Sequence, residues 1–250
     1  MNNSAASLPL MLKQLRLSEV RMHWEPLAEK AVDEHWPPPQ YLAELCHIEL
    51  SKRDDKRLQR YLKESNLPSA KQLGHFDFSA IEGVSKVQIT QLIDSSDWVK
   101  MGDNLLLFGA SGVGKTHLAS AIGYGLIEAG IRVKFSSAST LIQHLQKAKQ
   151  DLKLEDALIK LDKYAVLIMD DIGYIRKTDQ ETGVLFELIA HRYERHSLII
   201  TSNQSFEDWD QLFNDTVMTV AAIDRLVHHA KIIQLKGESY RRKMRLKTDK

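Results

Sequence analysis

An α/β domain built on a parallel sheet, preceded by a small all-α segment, is the fold class this sequence predicts. Three observations carry it. Short apolar runs recur at Leu105–Phe108, Tyr164–Met169 and Ser197–Thr201, the pattern of strands buried on both faces. Helical periodicity fills the stretches between them. The first of these strands runs directly into Gly109-Ala-Ser-Gly-Val-Gly-Lys-Thr116 and then into a helical pattern closed by Gly130, which is the strand, loop and helix order of a phosphate-binding loop.

Residues 1–70 contain no strand-like alternation and read as an α-helical domain for a partner or for DNA. Leu12, Leu15, Val20, Met22, Leu27 and Ala31 give a loose helical spacing, and Trp36-Pro-Pro-Pro39 predicts a rigid, extended break. A second helix is expected from Gln40 toward Leu62. Arg53, Lys56, Arg57 and Arg60 share one of its faces, either as a solvated face or as a stripe contacting phosphates. Cys46, the one cysteine, lies among Leu42, Leu45 and Ile48 and is expected to be a buried small hydrophobe. Asn66 to Gly74 reads as a linker, so the second domain is placed at 76–250.

That domain opens with Phe76-Asp-Phe78 and a helix over 84–98 whose inward positions are Val84, Val87, Leu92, Ile93 and Trp98. After the loop and its helix, Ile131–Phe135 is a second strand, and Ser136 to Thr140 can cap the next helix. Leu141 to Leu161 is helical, with a break expected near Asp151, and carries Lys147, Lys149 and Lys153. Asp179 to Arg195 is amphipathic, with Val184, Leu185, Leu188 and Ile189 inside and Glu187, Arg192 and Glu194 outside. Phe206–Phe213 and Val217–Val227 read as helices, Lys231–Leu235 as a last strand, and Tyr240 to Lys250 as a basic tail.

The 250 residues are 43% hydrophobic and 27% charged, enough for a sizeable core in a soluble chain. A net charge of +1 neither favours nor excludes nucleic acid, because the basic residues are clustered. One cysteine excludes an intrachain disulfide. There is no secretory segment and no apolar stretch of about 20 residues, so the expectation is a cytoplasmic protein with no membrane partner. The ten histidines show no metal-ligand spacing. His228 and His229 are adjacent, and on a helix they would not face one site, so zinc is not expected.

The loop's residue types derive from phosphate chemistry. Gly109, Gly112 and Gly114 let a polyphosphate approach backbone N–H groups, including those of Ala110, Ser111 and Val113. The helix N-terminus adds positive potential. Lys115 can reach the terminal phosphates, the Thr116 hydroxyl can ligate Mg²⁺, and His117 adjoins both. Asp170 and Asp171 follow an apolar strand, where open α/β sheets bind ligands. Asp170 is placed to hold Mg²⁺, and Asp171 to orient or deprotonate an attacking water. Asn203, after the strand 197–201, can hydrogen-bond both a γ-phosphate oxygen and a water. A nucleoside triphosphate with Mg²⁺ is therefore the expected ligand, and the resemblance below implies that it is ATP.

This order of motifs, continued by Asp224-Arg225-Leu226 and Gly237-Glu-Ser-Tyr-Arg241, resembles the AAA+ ATPases of the DnaC and IstB group over about residues 76–242. The Leu-rich start, Tyr41-Leu-Ala-Glu-Leu45, the basic helix and Phe76-Asp-Phe78 resemble the IstB side of that group. The resemblance implies a three-layer αβα domain without a full helical lid. Asn203 then matches the sensor-1 position and Arg225 the arginine finger that a neighbouring subunit inserts, with Arg192 and Arg195 as alternatives. Arg241 is similar to the C-terminal sensor arginine, beside Arg242, and the basic helical segment 141–161 falls where the group carries an inserted helix used on DNA. The group's usual Asp-Glu pair is Asp170-Asp171 here. The resemblance implies an ATP-dependent helper of DNA transposition that forms a homo-oligomer on duplex DNA and regulates an IstA-like transposase. A replicative helicase loader is the alternative client class, and a small-molecule phosphotransferase on the same loop the alternative activity.

Overall fold

The computed structural model describes residues 4–173, 178–204 and 216–240. Two compact units divide at Arg60/Tyr61. The first holds α1 (Ser4–Gln14), α2 (Ser18–Asp33) and most of α3 (Pro38–Ser65). Arg16 takes a left-handed φ of 56°, which ends one helix and starts the next. The expected spacing therefore does not run through the turn. Leu12 and Val20 are buried with Leu45 against Trp24, Leu27 and Tyr41, while Leu15 and Met22 are exposed. Pro38 and Pro39 open α3 rather than extend the chain, because proline fits a first helical turn whose N–H groups have no intrahelical partner. Cys46 is exposed, contrary to the expectation from its neighbours. Leu45 takes the inward position, and the next residue is rotated by about 100° around the helix.

The basic stripe on α3 is partly spent within its own unit. Buried Glu49 accepts from the N–H groups of Glu19 (2.8 Å) and Val20 (3.2 Å), so it caps α2, whose own N-cap, Leu17, has no acceptor. Burial pushes the Glu49 carboxyl up, but the two backbone donors and Arg53 outweigh it and hold the group below its ordinary value. Arg53 Nε donates to Glu49 at 2.9 Å and its Nη2 to the Arg16 carbonyl at 2.9 Å. Lys56 pairs with Glu19 at 3.3 Å and Arg57 with Asp54 at 3.1 Å.

The second unit is a sheet between helices. After residues 66–75 come α4 (Lys86–Asp94), α5 (Asp97–Met101), β1 (Asn104–Phe108), α6 (Lys115–Glu128), β2 (Val133–Ser137), α7 (Ala138–Gln150), α8 (Leu154–Asp162), β3 (Val166–Asp170), α9 (Asp179–Arg192), β4 (Ser197–Ser202), α10 (Thr216–His228) and β5 (Ala230–Gln234). The strands run parallel in the order β2-β3-β4-β1-β5. Alternate residues feed two cores. Leu106, Phe108, Leu167, Met169, Leu198 and Ile200 pack with α7, α8, α9 and α10. The intervening Leu105, Leu107, Val166, Ile168 and Ile199 are equally buried and face the other way, where α6 crosses β1 to β4. This is the expected three-layer αβα arrangement. Among the described residues no helix is long and apolar enough to cross a membrane.

Several local expectations change for physical reasons. The helix expected at 84–98 is two, and a capping box at Ser85 and Gln88 sets the phase of the first, turning Ile89 inward and Val87 outward. The break near Asp151 is real: Leu152 adopts φ 56°, and Ser137 caps α7 through the Thr140 N–H. Arg192, expected outside, is completely buried. Its guanidinium donates to the carbonyls of Leu161 (3.3 Å), Tyr164 (3.0 Å), Ala165 (3.2 Å) and Ser197 (3.1 Å). Burial lowers its pKa to about 10, opposed by nearby Asp162. A residue tied into the entrances of β3 and β4 is not available to a neighbouring subunit. The segment 206–213 lies outside the described residues.

Candidate functional site

The site forms where β1, β3 and β4 end together, and β1 delivers the glycine loop to that edge. Gly109 has φ 150°, and a Cβ there would sit 2.4 Å from the Leu235 carbonyl oxygen. Gly112 has φ 87°, and its Cβ would meet the Ser239 hydroxyl at 2.2 Å. The first is a close backbone approach that only glycine permits, and at the second the positive φ favours glycine. Val113 is buried and anchors the loop, while Ala110 and Ser111 are exposed at its rim. Lys115, itself buried, folds back to donate to the carbonyls of Gly109 (2.8 Å) and Ala110 (3.0 Å). Its ammonium therefore lies within the curve of the loop, where a phosphate would need it.

Three hydroxyl and carboxyl groups converge beside the loop. Asp170 ends β3 and accepts from the Thr116 hydroxyl of α6 at 3.1 Å and from the Thr201 hydroxyl of β4 at 2.7 Å. Thr201 Oγ1 also accepts from the Asp171 N–H at 2.8 Å. The sequence singles out Asn203 and gives no prominence to Thr201, which fixes both aspartates. The available signal was a hydroxyl at the end of a buried strand. Asp171 has φ 63°, a left-handed conformation that aspartate tolerates better than most residues and that is over-represented at functional sites. Asn203 is exposed and packs against Gly173.

The loop, Thr116, His117, Asp171, Thr201 and Asn203 line one cleft of about 450 Å³, within the range of a small-molecule site. Its opposite wall is the segment 71–81, with Lys71, His75, Phe76, Asp77 and Ile81, and Tyr240 closes the end. Phe76 lies against Gly114 and edge-on to the His117 and Phe78 rings, at 5.2 Å and 4.7 Å. His117 Nε2 lies 3.2 Å from the Gln72 carbonyl. Burial pulls the His117 pKa down, against the pull of that carbonyl and with the push of Lys71 and His75. The imidazole is thus biased toward its neutral form and ties the wall to α6. Phe76-Asp-Phe78 is conspicuous in the sequence but not as part of the site, because nothing local links it to a loop more than thirty residues on.

The donor set fits the expected ligands. Backbone N–H groups of a glycine loop and a lysine suit a polyphosphate, and the Thr116 hydroxyl with the Asp170 carboxylate suits a hard divalent cation. Arg225 does not line this cleft. It donates to the Ala221 carbonyl at 3.1 Å, within α10, and lies 5.4 Å from the Phe186 ring. Arg241 and Arg242 lie outside the described residues. Of the other basic residues, Lys149 pairs with Glu187 at 2.7 Å, while Lys147 and Lys153 are exposed. The two histidines expected to point apart do not. α10 ends at His228, so the rings of His228 and His229 come to 4.1 Å and share a cluster with Glu194.

Known proteins resemble this chain over nearly its whole length. The family model described as IstB-like ATP binding protein matches residues 10–248. An insertion sequence ATP-binding protein of Sinorhizobium fredii is 48% identical over 238 residues, covering 95% of this chain and 80% of that protein. The ATP-binding protein of insertion sequence IS21 from Pseudomonas aeruginosa is 38% identical over 240 residues, covering 96% and 90%. The crystal structure of the DnaC helicase loader is similar in fold, with a TM-score of 0.54 at 23% identity, over 71% of this chain and 99% of that one.

Proposed function

Because this chain belongs to the IstB-like ATP-binding protein family, with an AAA+ fold, we propose that it hydrolyses ATP as a switch for assembly on duplex DNA in transposition. One observation carries the reading. The cleft holds the loop, Thr116, Asp171 and Asn203 in one chain, with Asp170 hydrogen-bonded to Thr116 behind them, and among the described residues no arginine lines it. The Thr116 hydroxyl and the Asp170 carboxylate would hold Mg²⁺, which neutralises phosphate charge when bound. The loop N–H groups and Lys115 would bind the triphosphate, and Asp171 would orient a water and take its proton. Asn203 would hold that water in line. Arg225 would act in the next subunit of a homo-oligomer, so hydrolysis would depend on assembly.

The client would be a transposase, as expected for relatives encoded in insertion sequences. DNA would be gripped through its phosphates, without base reading, by exposed cations such as Lys147 and Lys153. Arg53, Lys56 and Arg57 would have to leave intramolecular partners to take part.

The test mixes two inactive variants on duplex DNA. Arg225→Ala keeps its own cleft intact, and Asp171→Asn keeps its arginine. If Arg225 acts in a neighbour, the mixture regains hydrolysis that neither variant has alone. A mixture no faster than the two added together sinks the trans role. Particle size with DNA and a non-hydrolysable ATP analogue tests assembly separately. Pull-down of a hexameric helicase in place of a transposase would overturn the client.

A further inference from the structure

The geometry points to a divalent transition-metal site of the zinc class at Glu194, His228 and His229, outside the nucleotide cleft. α9 ends at Arg192, and Glu194 comes next but one in a left-handed turn with φ 55°. That turn brings its carboxylate against the end of α10. One ligand atom from each of Glu194, His228 and His229 lies within 4.8 Å of the others. Glu194 Oε1 and His229 Nε2 are 3.7 Å apart. A tetrahedral ion with bonds of about 2.0–2.1 Å needs its ligand atoms about 3.3 Å apart. The carboxylate and one imidazole are therefore within a few tenths of an ångström of ligating distance, and exposed side chains can make that shift.

A second observation concerns orientation. The Tyr193 hydroxyl lies 2.9 Å from His228 Nδ1. The same hydroxyl hydrogen-bonds Glu194, so it holds one imidazole and the carboxylate of the cluster in place, as partners outside the ligand set characteristically do. Two imidazoles and a carboxylate suit zinc, with a fourth position left to water. An ion there would tie the end of α10 to the turn after α9. Arg225 lies three residues before His228 on the same face of α10, so such a tie would also steady that arginine. Only this last consequence rests on the assembly reading above; the metal site does not.

The test titrates the full chain with Zn²⁺ alone against a chromophoric chelator, without nucleotide or DNA. The wild type should hold one equivalent at low micromolar free ion. The Glu194→Gln/His229→Gln double variant should lose it, and Tyr193→Phe, which keeps all three ligands, should weaken it by about tenfold. Far-UV circular dichroism and binding of an ATP analogue confirm that each variant is folded. No binding by the wild type, or the same equivalent retained by a folded double variant, overturns the site.

Discussion

Replacing Arg192 should unfold the second unit more readily without touching nucleotide chemistry. In Arg192→Met, four backbone carbonyls at 3.0–3.3 Å lose the guanidinium as donor around a fully buried side chain, although those of Leu161 and Ala165 keep the N–H groups of Tyr164 and Ser197. Bonds from a charged donor are worth about 1.5–3 kcal/mol each, but these share one group and do not add. Part of the loss is offset. The guanidinium no longer has to be desolvated, and its Nε has no acceptor in the folded protein. A buried acceptor left without a donor costs about 1–3 kcal/mol, so the net loss from this network should be about 3–5 kcal/mol. Against a total of about 5–15 kcal/mol, that is a large share. With a urea slope of about 2.5 kcal/mol per molar, the midpoint should fall by roughly 1–2 M. Equilibrium unfolding monitored by circular dichroism and by tryptophan fluorescence, with Trp98 buried in this unit, reads it directly. A midpoint within about 0.3 M of wild type would refute the argument, since even a small midpoint shift is resolvable. So would a fully stable Arg192→Lys protein that loses only DNA-stimulated hydrolysis, because Arg192 would then be the arginine acting between subunits.

Three further outcomes are expected. Lys115→Ala should keep the fold and lose about 2–3 kcal/mol of ATP affinity, roughly 30- to 150-fold in a fluorescent-nucleotide titration; unchanged affinity would place the phosphates elsewhere. Asp171→Asn should retain bound ATP while its turnover falls by about 10²–10⁴, so ADP release near the wild-type rate would remove Asp171 from the chemistry. Glu49→Gln should destabilise α2 by about 1–3 kcal/mol at neutral pH. The folded Glu49 carboxyl lies below its ordinary 4.5, so its contribution is full above that value and is lost as pH falls through the folded one. Hydrogen exchange over residues 18–33 should therefore differ between variant and wild type at pH 7 and converge in acid; a gap that ignores pH would mean the carboxylate is not the cap.

Much of the site was legible because its chemistry is local. The loop from Gly109 to Thr116 carries its fixed residue types, Gly109, Gly114, Lys115 and Thr116, within eight consecutive positions, and Asp170, Asp171 and Asn203 announce themselves at the ends of buried strands. Strand positions were legible within about two residues, since apolar runs bury on both faces wherever the sheet places them. The misread positions share one cause. Arg192 and Val87 were assigned by helical phase, and phase depends on where a cap starts the helix and on which partners a polar group meets. Cys46 was assigned by its neighbours in sequence, which on a helix point elsewhere.

The sequence by itself determined that a triphosphate-binding loop sits on a parallel sheet, with its acidic pair and its asparagine on the same edge. Only the tertiary structure decided that Thr201 holds both aspartates, that Phe76 and His117 wall the cleft, and that Glu194 meets His228 and His229. Backbone geometry fixes spacing over a few residues, so a motif that lies within one turn can be read directly. Contacts across thirty residues or more are fixed by how strands order in the sheet and how helices end, and no local pattern encodes those.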